Sequence, residues 1–294
     1  MGIREDRIFI SKALTLAEAG KGAVSPNPKV GCVLVKNGKI IGEGYHKKFG
    51  GKHAEVVAIQ KAGSGLAGST AYINLEPCCI EGKTPPCTKT LIENKIKKVV
   101  ISMLDPNPKI NGKGVQELKK NGIEVLSGIF EIQARELNKG FIKWITKGIP
   151  WVIGKAAQSF NGYLGMDSSS QTRITNQQCK EDVHRLRSGV DCVLVGRQTI
   201  LTDDPELTVR DITGRSPKRA VLDSRLSLTQ SHQIFEQIEP ETIVLHSNVI
   251  KNVKSREGIK YLGVRENKNG LDVKDVLVKL GRQGITTLLV EGGA

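Results

Sequence analysis

Five side chains in two short stretches of this sequence have the types and spacing to do chemistry together. GGKHAEVVAIQKA carries His53 and Glu55, and LEPCCIEGKTPPC carries Cys78, Cys79 and Cys87. In a chain without a secretory signal, close-spaced cysteines bind metal or do chemistry more often than they form disulfides. One imidazole and two thiolates make a three-ligand zinc set that leaves the fourth position to water. Zinc lowers the pKa of such a water from about 15.7 towards ~7, so a nucleophile is at hand at neutral pH. Residues two apart on a helix point roughly 200° apart. Glu55 therefore does not chelate beside His53 in a regular turn and suits general acid–base work. Chemistry alone does not choose between Cys78 and Cys79.

Elements must bring these groups together, and the first half of the chain supplies alternating ones. Residues 5–19 have helical spacing, and VGCVLVKNGKIIGEGYH reads as two strands around an Asn37-Gly38 type I′ turn. A helix begins near His53, and TAYINLEP follows as a strand. TPPCTKTLIENKI is a helix with Thr84 as its cap and Pro85 as its first helical residue. That places Cys87 in the first turn, where the helix dipole favours a thiolate. KKVVISML and GIEVLSG are strands flanking a helix at 114–121, and the pattern implies an α/β sandwich around a mixed sheet. Gly148 and Pro150 in ITKGIPW punctuate the pattern and divide the chain into domains 1–147 and 148–294. Beyond them WVIGKAAQ, DCVLVG, RAVLDS, ETIVLHS and ITTLLVEGGA read as strands, with helices at TNQQCKEDVHRLRSG and DVKDVLVKLGRQG.

The whole chain sets the outer limits. Its 294 residues suffice for two domains with their own cores, and 38% hydrophobic and 25% charged residues are ordinary for a globular protein. No apolar run reaches the ~18 residues of a membrane span, and no secretory signal is visible, so a cytoplasmic location is expected. Cys32 and Cys192 sit in apolar, strand-like runs as small core residues. The net charge of +14 suits nucleic acid or a phosphorylated small substrate, but aromatics at 4% leave little stacking surface for single strands. GKT at 82–84 lacks the earlier loop glycine of a phosphate-binding P-loop, and GKGVQE at 112–117 lacks the third glycine of a dinucleotide fingerprint.

H-A-E followed by P-C resembles the zinc nucleobase deaminases, whose usual form is H-x-E…P-C-x-x-C. Here the second cysteine follows the first after eight residues. That spacing, with SPNPKVGCVLV, GEGYH, TPPC and LDPNP, is similar to the bacterial bifunctional riboflavin-biosynthesis enzymes, a pyrimidine deaminase fused to a reductase. The resemblance implies a cytidine-deaminase-like three-layer α/β sandwich. It implies zinc ligands His53, Cys78 and Cys87, the catalytic proton shuttle Glu55, and substrate contacts at Asn27 and Lys83. Cys78 is preferred to Cys79 because it follows Pro77, as the ligand does in the motif. Cys79-Ile80 stands where the family usually has Ser-His, so a somewhat altered pocket is expected.

From IPWVIGKAAQSFNG to VEGGA the chain resembles the reductase half of the same enzymes, an α/β domain like dihydrofolate reductase. By position, Lys155, Gln171, Arg187, Asp203, Leu207, Arg210 and Glu291 would contact substrate. Ala157, Arg173, Thr199, Asp203, Ser224, Gly292 and Gly293 would lie along NADPH. Arg187 and Arg210 suit phosphate clamps, since guanidinium pairs bidentately with phosphate oxygens. His184, at helical spacing from Lys180 and Arg187, reads as structural. Asn161 replaces a usual Asp, Arg173 a usual Trp, and the family continues past the point where this chain stops. The expectation is therefore a truncated sequence or a compromised reductase.

The implied function is two successive steps of riboflavin biosynthesis. A zinc-dependent hydrolytic deamination of a phosphoribosylated diaminopyrimidinone is followed by NADPH-dependent reduction of its ribosyl group to ribityl. The expected partner is a phosphorylated pyrimidine, with no nucleic acid and no membrane, and a homo-oligomer is left open. Two alternatives share the zinc motif: a nucleic-acid-editing deaminase, and a non-catalytic zinc-stabilised scaffold that only binds a ligand.

Overall fold

The computed structural model describes residues 2–81, 85–164 and 174–292. Lys83, Thr84, Gln171, Arg173 and Gly293 from the reading above lie outside the described residues. The chain divides into two compact units, Met1–Lys147 and Gly148–Ala294. Among the described residues no helix is long and apolar enough to cross a membrane.

The first unit runs α1 (Ile3–Glu18), β1 (Gly31–Lys36), β2 (Lys39–Tyr45), α2 (Ala54–Ala62), β3 (Thr70–Leu75), α3 (Cys87–Glu93) and β4 (Lys98–Met103). It ends with α4 (Lys113–Lys120), β5 (Glu124–Ser127), α5 (Glu131–Leu137) and α6 (Lys139–Lys147). The sheet order is β2-β1-β3-β4-β5. β1 pairs antiparallel with β2 and β3, whereas β3, β4 and β5 are parallel, so the sheet is mixed. Asn37 (φ 51°) and Gly38 (φ 75°) both take the left-handed region that the tight β1–β2 turn demands. Alternate strand residues serve opposite faces. Cys32, Leu34, Ile73 and Ile101 pack with Ala54, Ala58, Leu91 and Leu118. Val33, Val35, Tyr72 and Val100 pack with Ile10 and Ala13 of α1. Helices on both faces make three layers.

The start of α3 differs from the expectation. Helical geometry begins at Cys87, with Pro86 as an extended cap residue (φ −57°, ψ 136°). Pro85 cannot open the helix, because a residue that precedes proline is pushed out of the α region. Helices α5 and α6, a helix at Arg197–Asp203 and a strand at Ile259–Val264 add to the elements expected from the sequence.

The second unit contains β6 (Trp151–Lys155), α7 (Gln177–Ser188), β7 (Cys192–Gly196), α8 (Arg197–Asp203), β8 (Lys218–Leu222), β9 (Thr242–Ser247) and β10 (Ile259–Val264). A two-residue ribbon, β11 (Glu266–Asn267) and β12 (Gly270–Leu271), precedes α9 (Val273–Arg282) and β13 (Thr287–Glu291). The sheet order is β10-β9-β8-β7-β13-β6, with every neighbouring pair parallel. Both of its faces are covered, as parallel sheets require. Val193, Val195, Val221 and Val244 pack with Ile200, Leu207 and Ile234 on one face. Cys192, Leu194, Ala220 and Leu245 pack with Val276 and Leu280 of α9 on the other.

Candidate active site

Three elements of the first unit converge on one point. His53 is the cap residue of α2, Cys87 is the first residue of α3, and Cys78 lies just beyond β3. The ligand atoms of His53, Cys78 and Cys87 all lie within 4.8 Å of one another. His53 Nδ1 is 3.1 Å from Cys87 Sγ and 3.6 Å from Cys78 Sγ. In a tetrahedral zinc site with Zn–S near 2.3 Å and Zn–N near 2.05 Å, such N···S edges measure about 3.6 Å. The donor set and its spacing therefore fit zinc. Cys79 stands outside this cluster, and burial raises its thiol, with the charges of Glu117 and Glu76 adding to it.

Protons are distributed unevenly over the group. The Cys78 thiol is drawn well down, chiefly because the Cys87 thiol donates to it, with His53 and the Cys87 backbone N–H (3.4 Å) assisting. Cys87 is pushed up for the complementary reason, together with burial and the proximity of Glu55. Without a metal the hydrogen bond between the two sulfurs thus favours the thiolate on Cys78. His53 is raised, first by its hydrogen bond with Cys78. Glu55 is only 3% exposed and its Oε2 has no hydrogen-bond partner. Burial pushes the Glu55 carboxyl up, with the neighbouring Cys78 adding to it.

The packing of α2 on the sheet sets where His53 and Glu55 stand. A Cβ on Gly44 of β2 would lie 2.4 Å from the Ala54 carbonyl oxygen and 2.6 Å from Ala58 N. A Cβ on Gly42 would lie 2.3 Å from the Ala58 carbonyl oxygen. Only glycine at these two positions lets α2 approach so closely.

The cluster opens into a cavity of about 360 Å³. Asn27, His46, Glu55, Asp105 and Asn107 supply polar lining, and Phe49, Ile80, Ile110, Phe141, Trp144 and Ile145 supply apolar lining. Asn27 Nδ2 is 3.0 Å from His46 Nε2, while His46 Nδ1 is 3.0 Å from the Lys52 carbonyl oxygen. His46 therefore donates through Nδ1 and accepts through Nε2, which fits a neutral ring. Burial lowers its pKa in the same sense. The Asp105 carboxyl is pushed up to about 6, mainly by burial. The loop that carries Asn27 is held by two buried amides. Asn138 Oδ1 accepts from Lys29 N–H (2.8 Å) and its Nδ2 donates to the Lys29 carbonyl (3.0 Å). Asn74 Nδ2 donates to the same carbonyl (3.0 Å) and its Oδ1 accepts from Gly31 N–H (2.8 Å). His46 in GEGYH and Asp105 and Asn107 in LDPNP stood in motifs without an assigned role. Phe141 and Trp144 belong to a helix that the sequence reading did not contain.

In the second unit the expected residues gather unevenly. Lys155 and Glu291 end neighbouring strands and are paired in register. Thr199 and Asp203 lie on α8, Ser224 follows β8, Gly292 follows β13, and Ala157 follows β6. Arg187 differs from the expected free phosphate clamp. Its Nε and Nη2 donate to the two carboxylate oxygens of Glu291 at 2.7 and 2.9 Å, and Nη1 donates to the Thr208 carbonyl at 3.1 Å. A buried guanidinium needs such a partner, and Glu291 supplies it. Leu207 is 2% exposed in the core, so its side chain is not presented to a ligand. Arg210 is half-exposed and paired with Glu206 at 2.5 Å. His184 is buried and accepts from Arg210 N–H at 3.2 Å, a structural role.

Comparison with known proteins bears on both units. Residues 3–103 match the family model for the cytidine and deoxycytidylate deaminase zinc-binding region, and residues 150–294 match that for the RibD C-terminal domain. The chain is 43% identical to riboflavin biosynthesis protein RibD of Aquifex aeolicus, over 99% of this chain and 82% of the relative. It is 38% identical to RibD of Escherichia coli, over 98% of this chain and 82% of that one. A solved structure from Thermotoga maritima, a diaminohydroxyphosphoribosylaminopyrimidine deaminase/5-amino-6-(5-phosphoribosylamino)uracil reductase, superposes with TM-score 0.89 at 38% identity. It covers 99% of this chain and 81% of its own. Acinetobacter baumannii RibD gives TM-score 0.89 at 38% identity, over 100% of this chain and 82% of its own. With relatives this similar along nearly its whole length, the chain belongs to the RibD family of riboflavin biosynthesis proteins.

Proposed function

We propose that residues 1–147 carry a zinc-dependent pyrimidine deaminase and residues 148–294 an NADPH-dependent reductase, acting in succession in riboflavin biosynthesis. The first substrate is 2,5-diamino-6-(ribosylamino)-4(3H)-pyrimidinone 5′-phosphate, which loses a ring amine by hydrolysis. The ribosyl group of the product is then reduced to ribityl. The observation that carries the reading is the His53–Cys78–Cys87 cluster beside a buried, unpartnered Glu55 oxygen on a cavity.

Bound zinc would supply an acidified water as nucleophile. Glu55 takes up the proton that the nucleophile releases and returns it to the departing nitrogen, work suited to a carboxyl raised towards the working pH. Asn27, its amide oriented by neutral His46, and Asn107 hydrogen-bond the pyrimidine, and Lys83 and Asp105 are assigned to the same substrate. The apolar lining, Phe49 and Trp144 among it, offers the pyrimidine ring an apolar surface.

In the second unit NADPH would supply a hydride to C1′ of the opened ribosyl chain. The C-terminal ends of parallel strands, where open α/β sheets bind ligands, carry Lys155, Glu291 and Gly292 on adjacent strands, with Ser224 just after β8, two strands from β13 in the same sheet. Lys155, Gln171, Asp203 and Arg210 are assigned to substrate. Ala157, Arg173, Thr199, Ser224, Gly292 and Gly293 are assigned to cofactor, with Asp203 near both. A cytoplasmic location goes with this reading.

The test is Glu55→Gln. Ammonia release should fall by about 10²–10⁴-fold while zinc stays bound and NADPH consumption with the deaminated substrate is unchanged. Undiminished deamination in that variant would overturn the assignment.

A further inference from the structure

One buried carboxylate takes no part in the chemistry above. Glu76 is 2% exposed and sits between the end of β3 and Cys78. Its Oε2 accepts from the backbone N–H groups of Asp105 (3.0 Å) and Gly112 (2.9 Å), and its Oε1 accepts from Val115 N–H (3.1 Å). Among the described residues no lysine, arginine or histidine pairs with it. Three backbone donors, two of them at the α4 N-terminus, stabilise its charge instead.

All three donors belong to a single stretch, 105–115, which connects β4 to α4. Within it Asp105 Oδ1 accepts from Asn107 N–H (2.8 Å), and Asn107 Oδ1 accepts from Lys109 N–H (3.1 Å). Asp105, Asn107 and Ile110 line the cavity. The stretch also presses on the metal-ligand segment, since a Cβ on Gly114 would lie 2.3 Å from the Pro77 carbonyl oxygen. One side chain thus ties the wall that presents Asp105 and Asn107 to the segment that presents Cys78.

We propose that Glu76 is a positioning residue for deamination, holding residues 105–115 so that Asp105 and Asn107 meet the pyrimidine. The inference rests on the first unit being the deaminase. Glu76 also lines the cavity, but both its carboxylate oxygens are taken up by the three backbone N–H groups, so it acts through the backbone it gathers. Gln in its place keeps one acceptor oxygen but turns an NH₂ towards donors, so the stretch loosens while the metal ligands stay.

The test uses the full chain loaded with zinc and compares wild type, Glu76→Gln, Asn107→Ala and the double variant. Glu76→Gln should raise KM for deamination by about tenfold to a hundredfold, the worth of one or two charge-assisted hydrogen bonds. Its kcat should change less, with one zinc per chain and NADPH consumption by the second unit unaltered. The double variant should lose less than the two single effects combined, because Glu76 acts in part through Asn107. A wild-type KM in Glu76→Gln, fully additive effects, or a loss explained by missing zinc would overturn the proposal. Hydrogen exchange on the wild-type chain tests it independently of any variant's folding. The amides of Asp105, Gly112 and Val115 should be protected together, and exchange at the rate of open loops would refute it. A wild-type chain that releases no ammonia would instead refute the deaminase assignment itself.

Discussion

Gly44→Ala is the sharpest test of how the fold places the chemistry. The added Cβ would lie 2.4 Å from the Ala54 carbonyl oxygen, 2.6 Å from Ala58 N and 2.8 Å from Val57 Cβ. Real Cβ atoms essentially never come within 3.0 Å, so the first turn of α2 must retreat by at least about 0.6 Å. That turn carries Glu55, and His53 caps it. Overpacking of this kind costs about 1–3 kcal/mol, and a displacement approaching 1 Å at reacting groups costs up to about a hundredfold in rate. Gly42→Ala is the matched control. Its Cβ meets the Ala58 carbonyl oxygen at 2.3 Å, one turn further along α2, so it should cost similar stability but less activity. Ammonia release, zinc content and thermal unfolding should be measured for both, with NADPH consumption as the internal check on folding. Gly44→Ala should lose about 10–100-fold in deamination, and Gly42→Ala markedly less. Equal losses in the two variants, or full activity in Gly44→Ala, would refute the reasoning.

Three further outcomes follow from particular contacts. Asn138→Asp keeps the acceptor for Lys29 N–H but sets a carboxylate oxygen against the Lys29 carbonyl. It should destabilise the chain by about 2–4 kcal/mol and raise the deamination KM, with Asn138→Ala milder; an unchanged melting temperature would contradict this. Burial raises the Asp105 carboxyl to about 6, so the stability it contributes is present below pH ~4 and lost as the pH rises through about 6. In chelator-treated protein, Asp105→Asn should therefore be more stable than wild type by about 2–3 kcal/mol at pH 7.5. Little difference should remain near pH 4, and a pH-independent difference would exclude the effect. Arg187→Lys cannot reproduce the bidentate grip on Glu291. NADPH consumption should fall by about tenfold or more with ammonia release unaffected, and a fully active reductase would show that the Arg187–Glu291 pair does not shape the reductase site.

Much of the fold was legible because its elements advertise themselves locally. Asn37-Gly38 marks the hairpin, and the apolar runs at 70–75, 98–103 and 192–196 mark buried strands. Helices α5 and α6 escaped because Asn138 and Lys139 interrupt the apolar period between two short segments. Their reason for breaking there is Asn138's clamp on Lys29, whose partner lies 109 positions away. Strand β10, half-exposed along most of its length, lacks a clear alternating pattern. At the site, motif spacing was enough to single out His53, Glu55, Cys78 and Cys87. Glu76, Asn74 and Asn138 were invisible, because a lone polar residue at a strand or helix end gives no hint of which distant amides it will bind. The partner of Arg187 was equally invisible. The arginine's charge suggested phosphate, while Glu291 had already claimed it.

The central claim is that one zinc ion is held by His53, Cys78 and Cys87 and that deamination requires it. X-ray absorption at the zinc edge of the purified chain, with metal content measured on the same sample, tests this most directly. The account predicts one zinc per chain with two sulfur and one imidazole neighbours plus a light-atom ligand, unchanged in Cys79→Ser. A third sulfur that disappears in Cys79→Ser, or active protein free of zinc, would contradict it.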